Sequence, residues 1–123
     1  MGYSTQIRVR YNECDMQGIA FNGNYLVYVD ETIDRWITDL IGEDAIDLVV
    51  KKATVEWESS ARRGELIELV PRVSRWGTTS FDVTVTGTVG DRPVFTATIV
   101  YVNVAPGTKT PTPVPAEIRE ALS

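Results

Sequence analysis

Only one long segment of the sequence has apolar residues at the spacing of an amphipathic helix, and this limits the folds that the chain can adopt. From about Asn24 onward, apolar residues recur every three or four positions, at Leu26, Val29, Ile33, Trp36, Ile37 and Leu40. Asn22 or Asn24 is a predicted N-cap, and Gly42 is a predicted C-terminal stop. The chain thus has a single helix of about five turns with which to cover a sheet.

Most of the remaining sequence has the alternation or the β-branched composition that predicts strands. These segments are residues 6–11 before the helix and residues 47–58, 65–76, 81–89 and 94–104 after it. Turn-forming residues at 77–80 (GTTS) and 90–93 (GDRP) predict that the last three strands form an antiparallel meander. Residues 106–115 form a predicted non-helical connector, followed by a short end helix.

A single helix can cover only one face of a five-stranded sheet. The simplest arrangement is an α+β fold in which a curled antiparallel sheet wraps around the helix, within one domain of residues 1–123. A second copy of the chain would protect the other sheet face and the sheet edges. We therefore expect a homo-oligomer, either a dimer or a homotetramer built as a dimer of dimers, with active sites shared between subunits.

The composition narrows the possible functions. The net charge of −5 argues against nucleic acid as a partner, although a local Arg cluster could still bind a few phosphates. The chain has no His and one Cys, so neither a metal site nor a cofactor is expected. The start of the sequence does not resemble a signal peptide, and no apolar run approaches the ~20 residues of a membrane span. These features predict a cytoplasmic protein.

The candidate chemistry lies in NECDMQGIAFNGNYLVYVDE, residues 12–31. Here Asp15 occupies a short loop, broken by Gly18 and Gly23, that opens directly into the helix. Taken alone, an Asp shortly before a Gly is more often the acceptor of an Asx-turn or a helix cap. The residues themselves therefore leave both a structural and a catalytic role open for Asp15.

The run VRYNECDMQGIAFNGNYLVYVDE resembles the opening of the hotdog-fold acyl-CoA thioesterases. It is most similar to the 4-hydroxybenzoyl-CoA thioesterase type and to the related Tol-Pal-associated short-chain acyl-CoA thioesterases. The shared pattern consists of Asp15, Gly18, Ile19, Ala20, Phe21, Asn24 and Tyr25. Weaker similarity continues through SSARRGELIEL (59–69) and VSRWGTTSFDV (73–83), so it covers nearly the whole chain. The sequence departs from the pattern at Asn22, where many relatives carry His or Tyr.

The resemblance implies a hotdog fold and acyl-CoA thioester hydrolysis with Asp15 as the catalytic carboxylate. The backbone N–H groups of Asn22 and Gly23 would bind the developing oxyanion, since the first N–H groups of a helix lack intrahelical partners. Asp15 would act as a general base on water or as a nucleophile, and a thiolate leaves without a histidine acid. Cys14 is a rival nucleophile, but no His is present to activate it, and a half-buried structural thiol is expected.

The resemblance also places the CoA nucleotide near Arg62 and Arg63, and guanidinium groups suit phosphates. The RWGTTS turn could bind the pyrophosphate or the pantetheine with Arg75, Thr78, Thr79 and Ser80. The alternative for each of these residues is a solvated turn. Trp57 and Trp76 are expected to fill the core or an interface rather than to stack on adenine.

Three further residues are expected to contact the substrate: Gly18, Tyr25 and Asp30. On a helical wheel Asp30 lies at the edge of the apolar stripe, where a carboxylate needs a partner. In relatives of the hydroxybenzoyl type, an acidic residue at the matching position accepts a hydrogen bond from the ring hydroxyl. We therefore expect Asp30 to line the acyl pocket and to favour acyl groups with a distal hydroxyl. The alternatives are a structural partner for Asp30 and a small aliphatic acyl group.

Three rival functions differ from this prediction. Hydratases and dehydratases that share the fold use a His with a carboxylate, and the chain has no His. A non-catalytic acyl-CoA sensor would not need a carboxylate at the thioester and usually carries a DNA-binding segment. A thioesterase that acts on an acyl-carrier protein would use the same chemistry with a protein partner.

Overall fold

The computed structural model describes residues 2–123 and contains every helix and strand that the sequence predicts. In chain order the elements are β1 (Thr5–Arg8), a 3₁₀ turn (Tyr11–Glu13), α1 (Asn22–Ile41), β2 (Leu48–Trp57), β3 (Leu66–Trp76), β4 (Ser80–Val89), β5 (Arg92–Asn103) and α2 (Ala116–Leu122). The main difference is at the first strand, which ends at Arg8 because the chain then turns toward the loop that carries Asp15.

All five strands form one antiparallel sheet in the order β1-β3-β4-β5-β2. β3, β4 and β5 are joined by short turns as a meander, as predicted. β1 pairs with the outer side of β3, and β2 pairs with the outer side of β5, so α1 connects the two edge strands across the sheet. The predicted α+β class and hotdog architecture are confirmed.

The core lies between α1 and one face of the sheet. Period-2 alternation places one set of side chains on this inner face: Ile67 and Leu69 on β3, Phe81, Val83 and Val85 on β4, and Phe95, Ala97, Ile99 and Tyr101 on β5. The buried stripe of α1 packs in the same cluster and consists of Tyr25, Tyr28, Val29, Thr32, Ile33 and Trp36. The opposite sheet face is rich in partly exposed threonines, including Thr86, Thr96 and Thr98.

The two ends of α1 behave differently from each other. At the C-terminal end, Gly42 has φ 100° and its N–H donates to the carbonyl of Thr38 at 2.9 Å, so the predicted stop is confirmed. At the N-terminal end the predicted Asn cap is wrong, because Phe21 occupies the N-cap position and provides no side-chain cap. The Asn24 side chain instead donates to the carbonyl of Glu13 at 2.8 Å.

β2 is an edge strand with an unusual number of exposed apolar residues. On β2 the exposed fractions are 54% for Val50 and 44% for Trp57, and on α1 the neighbouring Leu26 and Val27 are also exposed. An unpaired edge beside exposed apolar side chains is a typical site of association. Within residues 2–123, no helix combines the length and the apolar character required to cross a membrane.

Candidate active site

The loop that carries Asp15 is a tight turn closed by backbone hydrogen bonds. The N–H of Asp15 donates to the carbonyl of Ile19 at 3.0 Å, and the N–H of Gly18 donates to the carbonyl of Asp15 at 3.1 Å. Gly18 has φ 76°, a left-handed backbone conformation that residues other than glycine rarely adopt. Gly18 therefore closes the turn that presents Asp15, and its predicted contact with the substrate stays a prediction.

Asp15 itself forms the Asx-turn that the sequence left open. Its Oδ1 accepts a hydrogen bond from the N–H of Gln17 at 2.8 Å. This contact uses one carboxylate oxygen and fixes the side chain, while Oδ2 receives no hydrogen bond from residues 2–123. The half-buried carboxylate lines a cavity of about 900 Å³ together with Tyr11, Asn12, Cys14, Met16, Gln17, Gly18, Phe21 and Arg63. The structural role therefore leaves one oxygen available for chemistry.

The start of α1 lies at the edge of this cavity, which Phe21 lines. Within residues 2–123, the backbone N–H groups of Asn22 and Gly23 have no acceptor. The next N–H, of Asn24, is already bonded to the carbonyl of Phe21 at 2.9 Å. Two open N–H groups at a helix N-terminus create a positive potential that favours an anion.

A second carboxylate, Glu13, holds the loop against α1, and the sequence analysis did not identify it. Its side chain is 11% exposed and accepts hydrogen bonds from the N–H of Arg10 (2.9 Å), from the Arg10 guanidinium (2.6 and 3.0 Å) and from the hydroxyl of Tyr28 (2.9 Å). Its carbonyl accepts from the N–H of Phe21 at 2.8 Å. Burial acts to raise the pKa of Glu13, but the hydrogen bonds from Arg10 and Tyr28 outweigh it and lower that pKa.

Tyr25 supports the site from behind. Its hydroxyl accepts a hydrogen bond from the N–H of Ala61 at 2.9 Å, and its buried ring packs edge-on against Tyr28, Trp57 and Phe95. Burial raises the pKa of Tyr25, so the phenol stays neutral. Through Ala61, Tyr25 holds the segment that carries Arg62 and Arg63, and Tyr25 is not among the residues that line the cavity at Asp15. Its predicted contact with the substrate stays a prediction.

The structure places Arg62 and Arg63 beside the Asp15 loop. The N–H of Arg63 donates to the carbonyl of Gly18 at 3.1 Å, and its guanidinium lies 5.3 Å from the ring centre of Tyr11 at the cavity wall. Both guanidinium groups are on exposed residues. The basic pair therefore lies beside the Asp15 loop because of a direct backbone contact between the two loops.

The turn is shaped by an ion pair that the sequence analysis also missed. Glu65 accepts from the N–H of Arg62 at 2.7 Å and pairs with the guanidinium of Arg92 at 2.7 and 2.8 Å. Burial acts to raise the pKa of Glu65, but the hydrogen bonds from Arg62 and Arg92 outweigh it, and the pKa is lowered.

The RWGTTS turn lies at the other end of β3 from the Arg62–Arg63 turn, and the length of the strand between the two turns is about 35 Å. Arg75 pairs with Asp82 at 3.0 Å and donates to Ser80 at 3.3 Å. The carbonyls of Gly77 and Thr78 accept hydrogen bonds from Arg119 of α2, and the carbonyl of Thr79 accepts from the N–H of Asn103 at 2.7 Å. Within one chain, Arg75, Thr78, Thr79 and Ser80 are thus not brought together with Asp15.

The structure also shows the contacts of Cys14 and Trp76. The Cys14 thiol is half-buried and donates to the carbonyl of Arg10 at 3.5 Å. The Trp76 ring packs against Phe81 at 5.1 Å between ring centres, and the guanidinium of Arg119 lies 5.2 Å from the Trp76 ring centre. Residues 2–123 contain no group of three or more Cys, Asp or Glu side chains placed to hold a metal ion.

Asp30 lines a different cavity, between α1 and β2. This cavity has a volume of about 300 Å³, and its other lining residues are Leu26, Val27, Val29, Val50, Ala53, Ile99 and Tyr101. Asp30 is exposed and makes no hydrogen bond to residues 2–123. The position agrees with the expected edge of the apolar stripe, and the cavity shares no lining residue with the one at Asp15.

A family model described as the thioesterase-like superfamily matches residues 9–122, and the chain belongs to that superfamily. This match confirms the expected thioesterase resemblance over nearly the whole sequence. None of the curated proteins matches the chain by sequence.

Solved structures of thioesterases share the fold. A thioesterase superfamily protein from Jannaschia sp. CCS1 is 18% identical with a TM-score of 0.91, over 98% of this chain and 90% of that one. A thioesterase from Thermus thermophilus, complexed with coenzyme A and Zn, is 20% identical with a TM-score of 0.87, over 97% and 90%. An aspartate-to-asparagine mutant of 4-hydroxybenzoyl CoA thioesterase, complexed with 4-hydroxybenzoyl CoA, is 19% identical with a TM-score of 0.83, over 99% of both chains.

Proposed function

We propose that the protein hydrolyses acyl-CoA thioesters to a free acid and CoA in the cavity between Asp15 and the start of α1. Two features carry this proposal: Asp15, which lines the cavity, has a carboxylate oxygen that receives no hydrogen bond from residues 2–123, and two open helix N–H groups follow Phe21 at the edge of the same cavity. Membership of the thioesterase-like superfamily and the CoA complexes of its structural neighbours support the same reaction.

The helix N–H groups and the Asp15 carboxylate would act at different atoms of the reaction. The carbonyl oxygen becomes negative as the carbon is attacked, and the N–H groups of Asn22 and Gly23 would stabilise it. Asp15 Oδ2 would accept a proton from the attacking water, the C–S bond would break, and the electron pair would leave with the CoA thiolate. Alternatively, Oδ2 attacks the carbonyl carbon and expels the thiolate, and water then hydrolyses the mixed anhydride.

CoA binding is proposed for the exposed arginines next to this cavity. Arg63 lines the cavity, and Arg62 precedes it in the same turn, so both could meet the phosphates of a thioester held at Asp15. The proposed role of Arg75, Thr78, Thr79 and Ser80 requires a neighbouring copy of the chain, since their own turn is distant from Asp15.

A second copy is proposed to pair along β2. The outer edge of β2 has no pairing strand among residues 2–123, and an apolar surface is exposed beside it by Val50, Trp57, Leu26 and Val27. Pairing of two β2 edges would continue the sheet and cover this surface. It would also close the cavity of Asp30, which lies about 12 Å along α1 from Asn22.

We propose that this covered cavity receives the acyl group. Leu26 and Val27 lie on α1 between the open N–H groups and Asp30, so an acyl chain or ring could run along them. Asp30 then favours an acyl group with a distal hydroxyl. Asp30→Ala is expected to slow hydrolysis of 4-hydroxybenzoyl-CoA about 10-fold more than that of benzoyl-CoA, the scale of a lost hydrogen bond to a charged group.

The experiment that tests the proposed function removes one backbone N–H, that of Asn22, from the proposed oxyanion site. The Asn22 side chain itself does not line the cavity. Asn22 is the first helical residue, and Phe21 before it is extended, so proline fits there and lacks the N–H. Asn22→Pro should lower kcat by about 100- to 1000-fold in a thiol-release assay with a panel of acyl- and aryl-CoA thioesters. The matched control, Asn22→Ala, keeps the N–H and should stay near the parent. Equal activity of the two variants would contradict the oxyanion role.

A further inference from the structure

Asp30 and Tyr101 stand at the boundary between two cavities. On one side is the apolar cavity of α1 and β2, with a volume of about 300 Å³. On the other side is a cavity of the same volume whose lining includes the acidic residues Asp34, Asp44 and Asp47. Asp30 and Tyr101 line both cavities, so they form the polar end of the apolar one.

The hydroxyl of Tyr101 opens onto this boundary. Tyr101 lies on the inner face of β5, opposite Val50 of β2 and Phe81 of β4, and it is only 6% exposed. Its hydroxyl makes no hydrogen bond within residues 2–123. Every fully buried side-chain N or O atom in that range does have a partner, so the Tyr101 oxygen retains some accessible surface, and Tyr101 lines both cavities. A largely buried phenol without a partner is unusual and marks a place where a ligand atom can bind.

The two groups offer complementary hydrogen bonds. Burial raises the pKa of Tyr101, and the negative charges of Asp30 and Asp34 raise it further, so the phenol is a neutral donor at physiological pH. The Asp30 carboxylate can only accept when it is ionised. A donor and an acceptor at the end of an apolar cavity match a ligand group that does both.

We infer that Tyr101 is a specificity-determining residue, which donates to the distal hydroxyl oxygen of the acyl group while Asp30 accepts the proton of that hydroxyl. This inference rests on the proposed function and adds a second recognition contact to it. A hydroxyl both donates and accepts, whereas a methoxy group only accepts, and an aromatic amine is a good donor but a poor acceptor. Tyr101 therefore separates a hydroxyl from an amine, a distinction that Asp30 alone cannot make.

The test uses four thioesters that differ at one position: benzoyl-, 4-hydroxybenzoyl-, 4-aminobenzoyl- and 4-methoxybenzoyl-CoA. Tyr101→Phe should lower kcat/KM for the hydroxylated thioester about 10-fold or more while the benzoyl and amino thioesters change less than about 2-fold. Asp30→Ala should instead weaken both the hydroxyl and the amino thioester, because it removes the acceptor that both use. Tyr3→Phe is the matched control, because it removes a hydroxyl bonded to Asp39, remote from the cavity, and should change none of the four.

A binding measurement separates this inference from the proposed reaction. In the Asp15→Asn background, calorimetry with 4-hydroxybenzoyl-CoA should show about 10-fold weaker binding when Tyr101→Phe is added, with benzoyl-CoA unaffected. If the parent hydrolyses no thioester but this difference persists, the proposed function fails and the inference stands. Equal effects of Tyr101→Phe on all four thioesters, unchanged kinetics, or absence of the binding difference would overturn it.

Discussion

Loss of the Glu13 carboxylate should destabilise the fold mainly through Tyr28. Glu13 Oε1 accepts from the buried hydroxyl of Tyr28 and from the N–H of Arg10, while Oε2 accepts from the exposed Arg10 guanidinium. In Glu13→Ala the Tyr28 hydroxyl loses its acceptor inside the core. An unpaired buried polar group costs about 1–3 kcal/mol, and the other lost bonds bring the expected total to about 3 kcal/mol.

Glu13→Gln separates this effect from the loss of charge. The amide oxygen can replace Oε1 and keep both hydrogen bonds there, whereas the amide nitrogen displaces only the exposed guanidinium of Arg10. We therefore expect a loss below about 1 kcal/mol for Glu13→Gln, and Tyr28→Phe should recover most of the stability lost in Glu13→Ala.

The assay is urea unfolding followed by far-UV circular dichroism, with the unfolding slope checked for each variant. In a thermal scan, about 3 kcal/mol corresponds to a decrease in Tm of about 10 °C for a chain of this size. If Glu13→Ala and Glu13→Gln cost the same, the charge would dominate and the reasoning from the buried Tyr28 hydroxyl would be wrong.

Three further predictions concern packing, pH and assembly. Gly87→Ala should cost about 3 kcal/mol in urea unfolding, because a Cβ there would lie 2.2 Å from the Phe95 ring, whereas Gly23→Ala meets nothing within 4 Å and should cost little. The pKa of Glu65 is lowered in the folded chain, so the contribution of its carboxylate to the free energy of unfolding is complete above the unfolded pKa of about 4.3. That contribution is lost as the pH falls through the folded pKa. The variant Glu65→Gln should therefore lose less stability than the parent between about pH 6 and pH 3. Light scattering at micromolar concentration should give at least a dimer, and Val50→Asp should shift it toward monomer; a monomeric parent would contradict pairing along β2.

The helices and strands could be predicted because apolar residues repeat with the period of a helix or of a strand along the sequence. Val29, Ile33 and Trp36 mark the buried stripe of one helix, and the alternation around Phe81, Val83 and Val85 marks a strand with one buried face. Both patterns are local, and hydrophobic burial on one face is what creates them, so the structure retains them. The predicted helix cap was wrong because the helix begins at Asn22, so Asn22 and Asn24 both lie inside its first turn. The Asn24 side chain donates to the Glu13 carbonyl, a contact across eleven residues that no local pattern shows.

The site was only partly visible in the sequence. Asp15 stood out through its motif, yet the motif does not show that one oxygen is committed to the Gln17 N–H and the other is not. Glu13 and Tyr101 were missed because their roles depend on contacts between distant segments. A signal for both existed, since Tyr28 and Tyr101 place hydroxyls on otherwise apolar inner faces, and a buried phenol calls for a partner. The separation of Arg75 from Arg63 was already implied by the predicted strand over residues 65–76, because the two arginines lie at its opposite ends.

The most direct test of the account replaces the Asp15 carboxylate with an amide. In Asp15→Asn the amide oxygen can still accept from the Gln17 N–H, so the loop and the fold should be retained, as judged by circular dichroism and urea unfolding. The amide can act neither as base nor as nucleophile, so thiol release from the best acyl- or aryl-CoA substrate should fall at least about 100-fold in kcat. A folded Asp15→Asn protein that hydrolyses the thioester at the parental rate would show that the catalytic group lies elsewhere.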